Sequence, residues 1–200
     1  MNPPHFAATP PAWAEAALTL VLAPRDRDSV SGDLLEAYRD SVVPARGPAA
    51  ANAWYVRQVA GFVWRATWLW ALAFSVAFVA RNAYDWLVPT TDFHQRAEVT
   101  TYIAVATLLL TGFSAAWRSR SAIAGLLVTI LASQIAAVFS VVGSSILLAF
   151  LRSPKIDANI AGSGGIEEVY VLPFLMIVPA TILGTVSGVA GWITRMVVRR

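Results

Sequence analysis

Few residues in this chain could do chemistry, and their spacing limits what that chemistry is. Asp92, His94 and Glu98 fall close together in TDFHQRAE, between two apolar runs. Carboxylate and imidazole donors can hold a divalent cation, but one histidine between two carboxylates at this spacing matches no strong metal motif. The expectation is a solvated loop with no metal. Residues 161–165 read AGSGG. A phosphate-cradling loop would continue with Lys and Ser/Thr after its last glycine, and this run does not. The chain has no cysteine, which removes thiol nucleophiles, disulfides and cysteine-ligated metals. It has no Gly-x-Ser-x-Gly elbow, and its apolar runs carry no facing pair of carboxylates that an intramembrane acid–base site would want. The expectation is that it is not an enzyme and carries no cofactor.

The composition explains this scarcity. Hydrophobic residues make up 57% of the 200 and charged residues 14%, against ~25% charged in soluble domains. Thirty consecutive residues, 122–151, contain no Asp, Glu, Lys or Arg. A helix needs ~20 apolar residues to cross a bilayer, and a soluble core helix is not apolar all round for this length. The expected class is an all-α membrane protein with four transmembrane helices at 62–80, 99–117, 122–151 and 169–193, preceded by a short cytosolic helical hairpin. The net charge of +3 is no mark of nucleic-acid binding, because the basic residues flank apolar spans, where membrane topology accounts for them. The lipid bilayer is the first expected partner.

The elements divide into a flexible start at 1–11, a cytosolic module at 12–61 and a transmembrane domain at 62–200. Residues 12–23 (AWAEAALTLVLA) favour helix up to Pro24. A second helix is expected from Asp26, as its cap, to about Val43. Val30, Leu34, Ala37, Tyr38 and Val42 recur three or four apart and form one apolar stripe. Gly32 interrupts that helix at a cost of ~1 kcal/mol relative to alanine, unless something packs closely on it. Pro44, Gly47 and Pro48 make a break, after which helix is expected to run directly into the first span.

The third span, at 1.5 Å per residue, is longer than the ~30 Å hydrocarbon core and must tilt, protrude or bend, with Gly143-Ser144-Ser145 as the expected place for a bend. Gln134 lies mid-span and is expected to make a helix–helix hydrogen bond. Ala180, Gly184 and Gly188 recur every four residues, a ridge that lets another helix approach closely, from the same chain or from a second copy. Pro173 and Pro179 each remove a backbone donor and predict a kink. With the N-terminus inside, eleven of the fifteen Lys and Arg residues fall on that side, so both termini are expected in the cytoplasm. Arg65, one turn into the first span, is expected to extend its charge back toward the interface.

The order Asp26-Arg27-Asp28, then Gly32-Asp33-Leu34-Leu35-Glu36-Ala37-Tyr38-Arg39, a Gly-Pro break, then Trp54-Tyr55-Val56-Arg57-Gln58-Val59 resembles the permease prefix domain. That module precedes the first span of some bacterial ABC-type permeases related to macrolide exporters. The match covers about 13–64. Beyond it the chain departs from those permeases, which continue into a large extracytoplasmic domain and further spans. The resemblance implies a shared cytosolic module in a bacterial inner-membrane protein, without shared transport. Gly32, Asp33, Glu36, Tyr38, Trp54, Tyr55 and Gln58 are then the candidate docking residues for a membrane-protein partner. Gln134, Ala180, Gly184 and Gly188 are the candidate helix-packing residues. The expected role is an accessory or regulatory component of a permease-type complex. The alternative is a small transporter or channel that works as a homo-oligomer through Gly184 and Gly188.

Overall fold

The structure, a computed structural model, describes residues 9–88, 93–162 and 165–198, with 93–97 described by backbone alone. Asp92, the side chain of His94, Ser163, Gly164, Arg199 and Arg200 lie outside the described residues. The described residues are almost all helical: α1 (Ala12–Val21), α2 (Pro24–Glu36), a π-helical segment (Ala37–Val42), α3 (Val43–Leu87), α4 (Phe93–Ser119), α5 (Ala122–Leu151), α6 (Pro154–Gly162), α7 (Gly165–Leu175) and α8 (Ile177–Val197).

Proline and glycine set most of the boundaries. Pro24 does not merely end α1; it opens α2, two residues ahead of the expected Asp26 cap, and no side chain caps that helix. A proline suits the first helical position because its missing N–H would have no intrahelical partner there. Asp26 lies in the first turn, where its charge opposes the positive end of the helix dipole. At Gly47 the backbone takes φ 78° and ψ 167° inside α3, a conformation open to glycine at no steric cost. Pro48 starts the helix again, and from there it runs to Leu87.

Four helical stretches are long and apolar enough to cross a membrane. The first continues past the expected Ala80 to Leu87, because its last turns find partners: Arg81 pairs with Asp85, and Trp86 is buried with Ile156, Ile160 and Val169. The connection expected after α5 folds in part as α6, which supplies those two isoleucines. At Gly143-Ser144-Ser145 the helix does not break, and α5 stays helical over all 30 residues. Gly143 serves packing instead: a Cβ there would lie 2.9 Å from a Val79 methyl. The expected kink of the last span is a break between α7 and α8 at Met176, where ψ is −7°. Pro179 cannot donate to the Leu175 carbonyl, and its ring crowds that carbonyl, so the helix gives way there.

α5 is the central helix, packed by α3, α4 and α8, with α7 beside it. Its buried positions include Gly125, Thr129, Ala132, Ser133, Ala136, Ser140 and Ser144. The large apolar side chains point the other way: Leu69, Val76, Leu110, Phe150, Ile182 and Val186 are all more than half exposed. Small residues inside and large apolar residues outside suit a bundle whose solvent is hydrocarbon, where close backbone packing supplies the attraction between helices.

Candidate functional site

The N-terminal module has its own core. Ala14 and Leu18 of α1, Tyr38 of the π segment and Ala51, Tyr55 and Val59 of α3 are buried together. The Tyr38 hydroxyl donates to Asn52 Oδ1 at 2.7 Å and lies 3.2 Å from the Thr9 carbonyl. Its ring meets Tyr55 edge to face, 5.8 Å between centroids. Tyr38 and Tyr55, expected among the docking residues, are therefore core residues with no surface to offer a partner. The apolar stripe accounts for Tyr38, which belongs to it. Trp54 and Gln58 are half-buried at the margin of the module, with Trp54 angled against Tyr55 at 6.5 Å.

Gly32, Asp33 and Glu36 are exposed. Among the described residues nothing lies within 4 Å of where a Gly32 Cβ would be, so none of them exploits its bare backbone. With Ser29 and Asp40, also exposed, these residues follow a three-to-four spacing and form one polar, acidic ridge along α2 and the π segment.

The module is fastened to the bundle in two ways. α3 carries the module core at Tyr55 and Val59 and the bundle core at Ala71, Phe74 and Phe78 on one helix. Arg27 then ties the corner between α1 and α2 to the end of α4: Nη2 donates to the Ser119 carbonyl at 2.6 Å, and Nε to the Leu22 carbonyl at 3.3 Å. Ser119 ends α4, so its carbonyl belongs to the last turn, where helix carbonyls lack intrahelical partners and the dipole favours a cation. Sequence reasoning used Arg27 as a topology charge and as part of the Asp26-Arg27-Asp28 motif. Its partner lies 92 residues away, and no local pattern announces it.

The packing candidates fall inside the bundle. Ala180 is fully buried. A Cβ on Gly184 would come 2.9 Å from Thr129 Cβ, and one on Gly188 would come 2.7 Å from the Ala122 carbonyl oxygen. Gly125 and Gly112 complete the junction from α5 and α4: a Cβ on Gly125 would lie 2.7 Å from both the Gly112 oxygen and Gly188 Cα. The ridge of α8 is thus occupied by α4 and α5 of the same chain, which removes it as the seam for a second copy. Gln134 Nε2 lies 3.4 Å from the Phe174 carbonyl, just ahead of the Met176 break. The buried hydroxyls of Thr111, Thr129, Ser140 and Ser187 each donate to the carbonyl four residues back, all at 2.7 Å, so their own helices satisfy them.

The opposite end of the bundle holds a polar cluster that sequence reasoning missed. Arg81 pairs with Glu168 of α7 and lies 3.6 Å from Asp85 one turn further along α3. Asn82 donates to the Ser144 hydroxyl at 2.9 Å, and Asn159 to the Trp86 carbonyl at 2.7 Å. These contacts pin α3, α5, α6 and α7 together where the apolar packing ends. The Arg81–Asp85 half was legible as an i, i+4 pair. Glu168 was not. No family model, curated protein or solved structure matches the chain.

Proposed function

We infer that this protein is an accessory subunit of a bacterial inner-membrane complex of the permease type, with a cytosolic module that receives a partner and a four-helix bundle that holds it at the membrane. The observation that carries the reading is the pairing of an acidic ridge, Gly32, Asp33 and Glu36, that no described residue covers, with a module that is joined firmly to the bundle through α3 and Arg27. A partner engaging that ridge would act on the whole molecule and not on a loose appendage. The orientation follows the charge: eleven of fifteen basic residues belong to the module side, which puts that side in the cytoplasm. The transporter or channel reading draws less support. The buried hydroxyls are spent on their own helices, and the Gly184 and Gly188 ridge is spent on internal packing.

The test is purification from the native host in mild detergent of the wild type and of an Asp33→Lys, Glu36→Lys variant whose melting temperature is unchanged. A membrane-protein partner that accompanies the wild type and is lost from the variant supports the reading. A partnerless homo-oligomer in both samples overturns it and turns attention to flux assays.

A further inference from the structure

We propose that the module-bearing end of the bundle carries a binding site for the phosphate of an anionic phospholipid, built from Arg25, Arg118, Arg120 and Arg195. These four arginines line one open recess of ≈ 710 Å³ together with Trp117 and Thr194. They come from three separate parts of the chain: the start of α2, the end of α4 with the turn behind it, and the last turn of α8. A neighbouring recess of ≈ 390 Å³ shares Arg25 and Arg118 and adds Arg65. Among the described residues lining the two recesses the one carboxylate is Asp26, paired with Arg25 at 3.3 Å.

Bringing four arginines from three elements to one recess carries a repulsion that a bound anion would relieve. The carbonyl ends of α4 and α8 offset part of it, and Arg27 already takes the Ser119 carbonyl. Arg195 adds a second observation. Its guanidinium lies 5.1 Å from the Trp117 ring centroid, and its Nε is buried without a hydrogen-bond partner among the described residues. A guanidinium anchored over an aromatic face and lining the recess can offer its terminal N–H groups to an oxyanion. Arg120 holds a left-handed backbone, φ 56°, a conformation uncommon for a residue with a Cβ that fixes where the α4–α5 turn projects its side chain.

The surroundings favour a lipid over a soluble phosphate. The recess has Phe113 and Trp117 as an aromatic wall, stacked 5.8 Å apart. Along α4 and α8, next to the lining residues Phe113 and Thr194, Leu110 and Ile193 are 57% and 46% exposed and belong to the outward apolar face. A phosphodiester seated among the arginines would run its acyl chains down that face. Clustered arginines at the membrane rim are suited to this recognition, each adding charge-assisted donors to one headgroup. The lipid would then bridge α2, α4 and α8 and reinforce the joint between module and bundle.

The full-length protein, purified in an uncharged mild detergent, is titrated with phosphatidylglycerol, with phosphatidylcholine, or with glycerol phosphate, a soluble phosphate with no chains. Bound lipid is counted by native mass spectrometry and stability followed by tryptophan fluorescence on heating. Phosphatidylglycerol is expected to be retained in preference to phosphatidylcholine and to raise the melting temperature, with glycerol phosphate doing neither. Arg118→Gln with Arg195→Gln is expected to weaken retention about tenfold or more. If losing the Trp117 contact unfolds that variant, Arg118→Gln alone, at an exposed position, is expected to weaken retention several-fold. Equal retention of the two lipids, a matching shift from glycerol phosphate, or retention unchanged in the arginine variants overturns the proposal.

Discussion

Tyr38 and Tyr55 touch each other in the module core, yet their hydroxyls have opposite circumstances. Tyr38 spends its proton on Asn52, whereas the Tyr55 hydroxyl is buried with no partner among the described residues. A buried donor left unpaired costs its desolvation, and a paired one returns a modest net gain. Tyr38→Phe should therefore destabilise the protein by about 1 kcal/mol, while Tyr55→Phe should be neutral or stabilising by up to about 1 kcal/mol. Thermal melts of the two variants in one detergent would check this. Equal losses in both would mean that the Tyr55 hydroxyl has a partner after all.

Among the elements, the glycines separate by what surrounds them. Gly125 of α5 faces backbone from two other helices: an added Cβ would lie 2.7 Å from the Gly112 oxygen and from Gly188 Cα. Backbone cannot swing aside as a side-chain end can, so Gly125→Val should force α4 and α8 apart and cost about 1–3 kcal/mol or more. Gly32 of α2 is helical with open space around it. There Gly32→Ala should raise stability by about 1 kcal/mol through helix propensity alone. A pair of melting curves with shifts in opposite directions is the expected result. A destabilising Gly32→Ala would mean that the π segment or the module core depends on a freedom that alanine lacks.

For the whole molecule the question is which end faces the cytoplasm. The absence of native cysteine makes single-cysteine labelling direct. Ser31→Cys reports the module, and Ala158→Cys reports the exposed surface of α6 at the opposite end. In intact cells an impermeant thiol reagent is expected to modify position 158 and to spare position 31 until the membrane is permeabilised. The reverse pattern would invert the protein and move the arginine recess to the outer face. It would also leave the acidic ridge without access to a cytosolic partner.

Four apolar helices, and the breaks at Gly47 and near Pro179, were legible in the sequence because each rests on local physics. Hydropathy is a property of consecutive residues, and a proline or glycine restricts or frees φ at its own position. The helix-forming character of residues 12–43 was legible for the same reason, though Pro24 as a start and the π segment were not. Of the candidate site, the exposed positions Gly32, Asp33 and Glu36 were readable from the polarity of α2. The burial of Tyr38 and Tyr55 depended on how α1, the π segment and α3 come together. Only the tertiary structure decided that the α8 ridge is filled by α4 and α5. It alone joined Arg27 to Ser119 and Arg81 to Glu168, 92 and 87 residues apart, and drew arginines from α2, α4 and α8 into one recess. The reason is geometric. A residue's hydropathy and backbone preference belong to its own stretch of chain, whereas its neighbours across helices depend on rotation and depth, which the packing of the whole bundle determines.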